Sequence, residues 1–295
     1  MKLGLGTAQF GLPYGIANPK RKVSAREVEK ILALARSRDI DLLDTAVGYG
    51  TSEQVLGKIL KSTEVFKIVT KIAPLRVEAV GHRHLGRITR DFEESLKRLQ
   101  RKNIYGLLVH HSDDLLVPGG DRIYDRLADW RAEGRVSKIG ISVYSGQHID
   151  RILARFPVDL IQLPISVLDQ RLIRSGHLSL LKSKGVKIHA RSAFLQGLLL
   201  MPPENVDPFF KPIHEKLVAF HRAARDCGVS TVELALQFLR QRAEIDRVIV
   251  GVISAAQLEE VAVAATRPSI DLDYSRFTVT QQEFLDPSSW KLARS

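Results

Sequence analysis

Short apolar runs alternate with stretches of helical period along almost the whole chain. The runs cover residues 2–8, 41–46, 66–73, 105–111, 138–143, 160–167, 187–194 and 247–252. Each is too short for a helix and rich enough in Val, Ile and Leu to read as a buried strand. Between them lie helical patterns. Ser24 to Glu27 reads as a capping box, and Val28, Ile31, Leu32 and Ala35 follow it as one apolar stripe. Ile88, Phe92, Leu96 and Leu99 form another stripe, Gly134 sits where a helix should stop, and Ser230 to Glu233 opens a further helix with the same box. Eight strand–helix units in one continuous chain predict an α/β fold, a (β/α)8 TIM barrel. A doubly wound sheet fits less well. Gly4 and Gly6 begin a G-x-G turn, but Gln9 stands where its third glycine belongs, and a loop follows where a helix should start. No linker or composition shift divides residues 1–295, so a single barrel domain is expected. Residues 268–295 carry Phe277, Phe284 and Trp290 without a strand–helix unit and read as a carboxy-terminal tail packed on the barrel. Residues 201–212 read as a loop after the seventh strand, ordered or mobile.

Four polar residues interrupt this apolar pattern where packing does not need them. Asp44, Lys71 and His110 stand at or near the ends of the second, third and fourth runs, and Tyr49 lies in the loop after the second. In a barrel, chemistry gathers at the carboxyl ends of the strands, and adjacent strands bring those ends together. A lysine beside a phenol is expected to lower the phenol's pKa. A carboxylate can orient the lysine, and an imidazole can hold a substrate oxygen. Such a group can protonate a carbonyl oxygen while something else attacks its carbon. Singly, each residue has a plain structural reading: Asp44 as a turn cap, Lys71 as a snorkelling strand-end lysine, Tyr49 as a surface aromatic. His110 and His111 are strand neighbours and point to opposite faces, and the pattern alone does not choose between them.

Taken in order, these residues resemble the aldo-keto reductase family. Asp44-Thr45-Ala46 with Tyr49 five residues after the Asp is similar to its D-x-A-x-x-Y signature. Ile68 to Lys71 resembles its catalytic-lysine strand, and Leu107 to His110 its catalytic-histidine strand. The resemblance runs from Gly6-Thr7 to the helix after the eighth strand. It implies hydride transfer between a nicotinamide and an aldehyde or ketone. Tyr49 would donate the proton, Lys71 would tune it, Asp44 would pair with Lys71, and His110 would orient the carbonyl. It further implies cofactor contacts at Gly6, Thr7, Ser142, Gln162, Arg191, Ser192, Phe194, Gln196, Gly197, Gly251, Ser254 and Gln257, and substrate contacts at His111 and Trp290. The chain departs from the family pattern at four places. Val143 and Val261 stand where Asn is usual, Arg191 replaces an aromatic residue, and Gln257 replaces Arg. NADP(H) is the favoured cofactor on family grounds, with NAD(H) open. Each contact keeps an alternative. Gln257 could cap its helix, Arg191 could pair with a carboxylate, His111 could be structural, and Trp290 could be core.

Composition narrows the rest. Hydrophobic residues make up 44% and charged residues 26% of the 295, ordinary values for a globular protein. The one cysteine, Cys227, excludes a disulfide framework and a cysteine-rich zinc site. The family resemblance implies that no metal is needed, which fits the lack of ligand clusters in the sequence. No run reaches the length of a membrane span or a signal peptide, and a cytoplasmic protein is the expectation. The formal charge of +11 is scattered over helix faces with no aromatic-interleaved ribbon. Solvated faces or an anionic small molecule therefore rank ahead of nucleic acid. The expected partner is a small-molecule carbonyl substrate, and a monomer is the expected state. Two other classes stay open: a nicotinamide-binding barrel serving as a sensor or accessory subunit, and a lyase or isomerase using Lys71 as a Schiff-base nucleophile.

Overall fold

A computed structural model describes residues 1–17, 22–60 and 66–292. Residues 18–21 of the loop after the first strand and residues 293–295 of the expected tail lie outside the described residues. Each apolar run forms a strand: β1 (Leu3–Gly6), β2 (Leu42–Asp44), β3 (Lys67–Ile72), β4 (Ile104–Val109), β5 (Val136–Ser142), β6 (Leu160–Pro164), β7 (Lys187–Arg191) and β8 (Arg247–Gly251). They pair in parallel and in sequence order, and β8 closes on β1. The chain therefore forms the (β/α)8 barrel that the alternation predicts.

Two apolar cores result, because a barrel strand is buried on both faces. The larger lies between the strands and the helices. The smaller plugs the barrel interior with Leu42, Val69, Leu108, Leu160 and Ile249. Strand side chains alternate in direction, so the inward residue two positions further on stands one layer nearer the carboxyl ends. Those residues are Asp44, Lys71, His110, Gln162 and Gly251. The apolar plug is thus the floor of a polar rim, and a period of two generates both.

The helices follow their local signals. Ser24 Oγ accepts the Glu27 N–H at the start of helix Ala25–Ser37. Glu27 does not close the box with its side chain. Its carboxylate crosses to accept the N–H of Ala255, at 2.8 Å, at the start of helix Ala255–Thr266. Helix His82–Leu99 buries Ile88, Phe92, Leu96 and Leu99 as their spacing predicts. Gly134 follows helix Asp121–Ala132 with φ +72°, a value that suits glycine. The segment after β7 is ordered into short turns at Pro203–Asn205 and Pro208–Ile213, with Phe210 buried. Phe277 and Phe284 of the tail are buried, and the Trp290 ring stands edge-on to Phe210 at 4.9 Å. Among the described residues no helix is long and apolar enough to cross a membrane.

Candidate active site

The first arc of the rim is built by β2, β3 and β4. Lys71 is 1% exposed, and its ammonium donates to both Asp44 oxygens, at 2.8 and 2.7 Å, and to the Thr45 carbonyl at 3.0 Å. The same ammonium lies 3.4 Å from the Tyr49 hydroxyl and 4.9 Å from the centre of its ring. The His110 ring meets the Tyr49 ring edge-on, with centres 6.1 Å apart. Tyr49 is held by its loop. Its N–H donates to the Ala46 carbonyl, and its carbonyl accepts from Ser52 N–H. Ser52, fully buried, donates to the Thr7 carbonyl and accepts from Thr45 Oγ1. Thr7 in turn donates to the Asp44 carbonyl at 3.0 Å. Gly11 lets the chain after β1 press against this loop, since a Cβ there would stand 1.8 Å from the Tyr49 carbonyl oxygen. A larger residue at position 11 would push the phenol off Lys71.

The electrostatics differ from the expectation in one respect. The sequence reading has Lys71 lowering the Tyr49 pKa, yet the phenol is held above its ordinary value. Burial is the main cause and the Asp44 carboxylate the next, with Arg191 opposing them. Burial and the Asp44 carboxylate together outweigh the Lys71 ammonium 3.4 Å away. Burial likewise pushes the Lys71 ammonium below its usual value, against the pull of Asp44. An amine so enclosed, with three acceptors already engaged, is not presented to a substrate as a nucleophile. His110 is pushed down to about 4, first by burial and then by Lys71. Its Nδ1 is buried without a hydrogen-bond partner among the described residues. It is a neutral imidazole at neutral pH.

A cavity of about 460 Å³ opens above this arc. Asp44, Tyr49 and His110 line it, while Lys71 lies behind them. Of the expected cofactor residues, Gly6, Thr7, Ser142, Gln162, Arg191, Ser192, Phe194, Gln196, Gly197, Gly251 and Gln257 also line it. Gln162 faces two ways. Its Nε2 donates to Asp44 at 2.7 Å; among the described residues nothing donates to its Oε1, and Ser142 is its register partner on β5. A carboxamide needs that pair: an acceptor for its N–H and a donor for its oxygen. After β7 the chain turns through left-handed backbone at Ser192, Leu195 and Gln196, with φ of 63°, 47° and 54°. This turn carries Gln196 to within 3.3 Å of the Tyr14 hydroxyl. Gly197 faces Ala17, whose Cβ would stand 2.6 Å from an added one.

Three expected contacts are not brought to the cavity. His111 turns away, its Nδ1 lying 3.3 Å from Asp114 Oδ1. Trp290 packs on Phe210 and donates its indole N–H to the Phe284 carbonyl. Ser254 caps its helix by accepting the Gln257 N–H, and Gln257 Oε1 accepts the Ile253 N–H while remaining at the cavity wall. Val143, in the family's asparagine position, is buried in the outer core. Tyr14, Tyr144 and Glu260 line the cavity and escaped the sequence reading. Tyr14 lies in a Gly-rich loop with no periodic signal. Tyr144 stands two residues beyond the end of β5, where one strand position would have flagged it.

A sequence model of the Aldo/keto reductase family matches residues 2–278. An L-galactose dehydrogenase of Arabidopsis thaliana is 28% identical over 282 residues, which cover 90% of this chain and 84% of that protein. An NADH-specific methylglyoxal reductase of Escherichia coli is 28% identical over 218 residues, 67% of this chain and 65% of that protein. In structure, the holo form of an aldo-keto reductase of Bacillus halodurans superposes with a TM-score of 0.74 at 21% identity, over 98% of this chain and 94% of that one.

Proposed function

The chain belongs to the aldo/keto reductase family and is an NAD(P)-dependent oxidoreductase acting on carbonyl or alcohol groups, and from that premise we propose that it reduces an aldehyde or ketone with Tyr49 as the proton donor. The observation that carries this reading is the Asp44–Lys71–Tyr49 contact chain at the wall of the cavity, with neutral His110 beside it. A bound reduced nicotinamide supplies the hydride. The Gln162 Oε1 and Ser142 hydroxyl suit its carboxamide, and the cavity walls from β1, β7 and β8 suit the remainder of the dinucleotide. As the carbonyl oxygen gains negative charge, the Tyr49 O–H donates to it. The elevated phenol pKa keeps that proton in place across the neutral range, which suits reduction. His110, uncharged, positions the same oxygen with a ring N–H. Lys71 remains ion-paired and stabilises the phenolate formed on proton transfer.

The finer choice of nucleotide turns on the helix after β8. The sequence reading favours NADP(H), whose extra phosphate would need a cation or free helix N–H groups. Here Glu27 already takes the Ala255 N–H, Ser254 takes that of Gln257, and Gln257 takes that of Ile253. Among the described residues the lining at this end contains Gln257, Glu260 and Val261 and no Lys or Arg. The Glu27 carboxylate, ion-paired with Lys30 at 3.4 Å, occupies the helix-start N–H that the extra phosphate would need, so the geometry supports NADH. The test is titration of the purified protein with NADH and NADPH by fluorescence, beside aldehyde-dependent oxidation at 340 nm by the protein and by Tyr49→Phe. Binding with turnover that collapses in the variant supports the reading. Binding of neither nucleotide ends it.

A further inference from the structure

Arg191 at the end of β7 places a cation at the cavity wall. Among the described residues no carboxylate pairs with its guanidinium. Its Nη2 donates to the Val143 carbonyl at 3.3 Å and its Nη1 to Ser192 Oγ at 3.2 Å. At least three of its five N–H groups are therefore uncommitted. The guanidinium centre lies 4.1 Å from the centre of the Tyr144 ring, within cation–π range. A cation held this way is fixed in orientation without being neutralised. It also lines the same cavity as Tyr49 and His110.

The charge balance of the cavity gives this arginine its meaning. Asp44 is matched by Lys71 at 2.7 Å and contributes no net charge. His110 is neutral. Among the described residues the other lining carboxylate, Glu260, belongs to helix Ala255–Thr266 and makes no ion pair with Arg191. Among the described residues that line the cavity beside Tyr49 and His110, the unmatched charge is therefore the +1 of Arg191. Tyr14, Tyr49 and Tyr144 share the wall with it. Phenols and a planar guanidinium fork form a donor set for an oxyanion, and arginine suits planar, two-point recognition of a carboxylate or phosphate. A flat aromatic residue here would only stack.

Resting on the carbonyl-reductase reading above, we infer that Arg191 binds an anionic group of the substrate, so that the natural substrate is an aldehyde or ketone bearing a carboxylate or phosphate. The arginine then determines specificity and acts on substrate binding, beside the position that Ser142 and Gln162 would give the nicotinamide carboxamide.

Two matched pairs test this: succinic semialdehyde against butanal for a carboxylate, and glyceraldehyde 3-phosphate against glyceraldehyde for a phosphate. The expected result is a preference of about 10- to 100-fold in kcat/KM for the charged member of at least one pair, carried mainly by KM. Arg191→Met should remove most of that preference, and Arg191→Lys should restore part of it. A fluorescence Kd for NADH and a thermal midpoint are measured on each variant, so that misfolding and cofactor loss show directly. Which pair responds tells carboxylate from phosphate. Equal turnover within both pairs overturns the inference while leaving the reductase reading intact, as does a preference that survives in Arg191→Met. A weakened NADH Kd with both members of each pair falling together also overturns it, and assigns Arg191 to the cofactor. Failure of the unmodified protein to bind either nucleotide removes the reductase reading and this inference with it.

Discussion

The two sides of the barrel mouth solve opposite problems. Between β2 and β4 the charges are matched within the protein, Lys71 against Asp44, and Asp44 accepts a further hydrogen bond from Gln162 of β6. Between β7 and β8 the cationic group is left open, since Arg191 has carbonyl, hydroxyl and ring neighbours but, among the described residues, no acid. The closed arc has no affinity to spare for an outside ion, so its geometry is fixed before anything binds. The open arc keeps donors in reserve for a ligand. The difference teaches that preorganisation for chemistry and recognition of a substrate can be divided between strands of one barrel, with the same apolar plug under both.

The largest effect should come from breaking the closed arc at its proton. Tyr49→Phe removes one oxygen and little packing, so carbonyl turnover should fall ~10²- to 10⁴-fold while the fluorescence Kd for the nucleotide changes by less than about threefold. A comparable loss in Kd would move Tyr49 from chemistry to binding. Removing the cation instead leaves a buried carboxylate unpaired. Lys71→Met should cost roughly 3–5 kcal/mol in a denaturant titration. Adding Asp44→Asn to it should recover a good part of that stability and none of the activity. If the single variant loses less than about 1 kcal/mol, the arc is not the matched pair its distances describe.

The closed arc was also the legible one. Asp44, Lys71 and His110 each follow an inward apolar residue by two positions, after Leu42, Val69 and Leu108, so a period of two points to both plug and rim. The same rule marks Gln162 after Leu160 and, with less force, Arg191 after His189. It does not reach residues placed by loops. Tyr14 and Tyr144 come to the cavity by turns that have no period. Trp290 reads as a candidate wall because a tail can fold anywhere, and its partner Phe210 is 80 positions away. Glu27 reads as half of a capping box, and only the packing of its helix against Ala255–Thr266 diverts its carboxylate. The error over the Tyr49 pKa has the same origin. A sequence suggests that Lys71 and Asp44 are near Tyr49 and does not show how deeply the phenol is buried.

Acid should weaken both arcs together. His110 on the closed side and His189 beneath Arg191 are each pushed from 6.5 to about 4, with burial the leading cause. The unfolded chain therefore takes up these protons before the folded one. Their contribution to stability is complete above about pH 6.5, declines as pH falls towards 4, and is constant below that. Each histidine carries about 3 kcal/mol of this slope at most. Thermal midpoints between pH 7 and 4 should fall more steeply for the unmodified protein than for His189→Gln, whatever the variant's stability at pH 7. Parallel slopes would mean that water or rearrangement solvates His189.

The smallest effect sharpens the comparison at its open end. Glu27 lies on a helix far from the cavity in sequence, yet its carboxylate holds the N–H that a nucleotide phosphate would use. Glu27→Gln keeps an acceptor for Ala255 and removes the negative charge. If that charge sets the preference, NADH should bind the unmodified protein about tenfold more tightly than NADPH, and the variant should narrow the gap several-fold by tightening NADPH alone, an effect of the size of one charge at a helix start. The Kd for NADH should stay within about twofold. An unmodified protein that prefers NADPH would mean that the phosphate is held by cations outside the Glu27 helix end, and the nucleotide-binding arc would then resemble the closed arc in supplying its own matched charge.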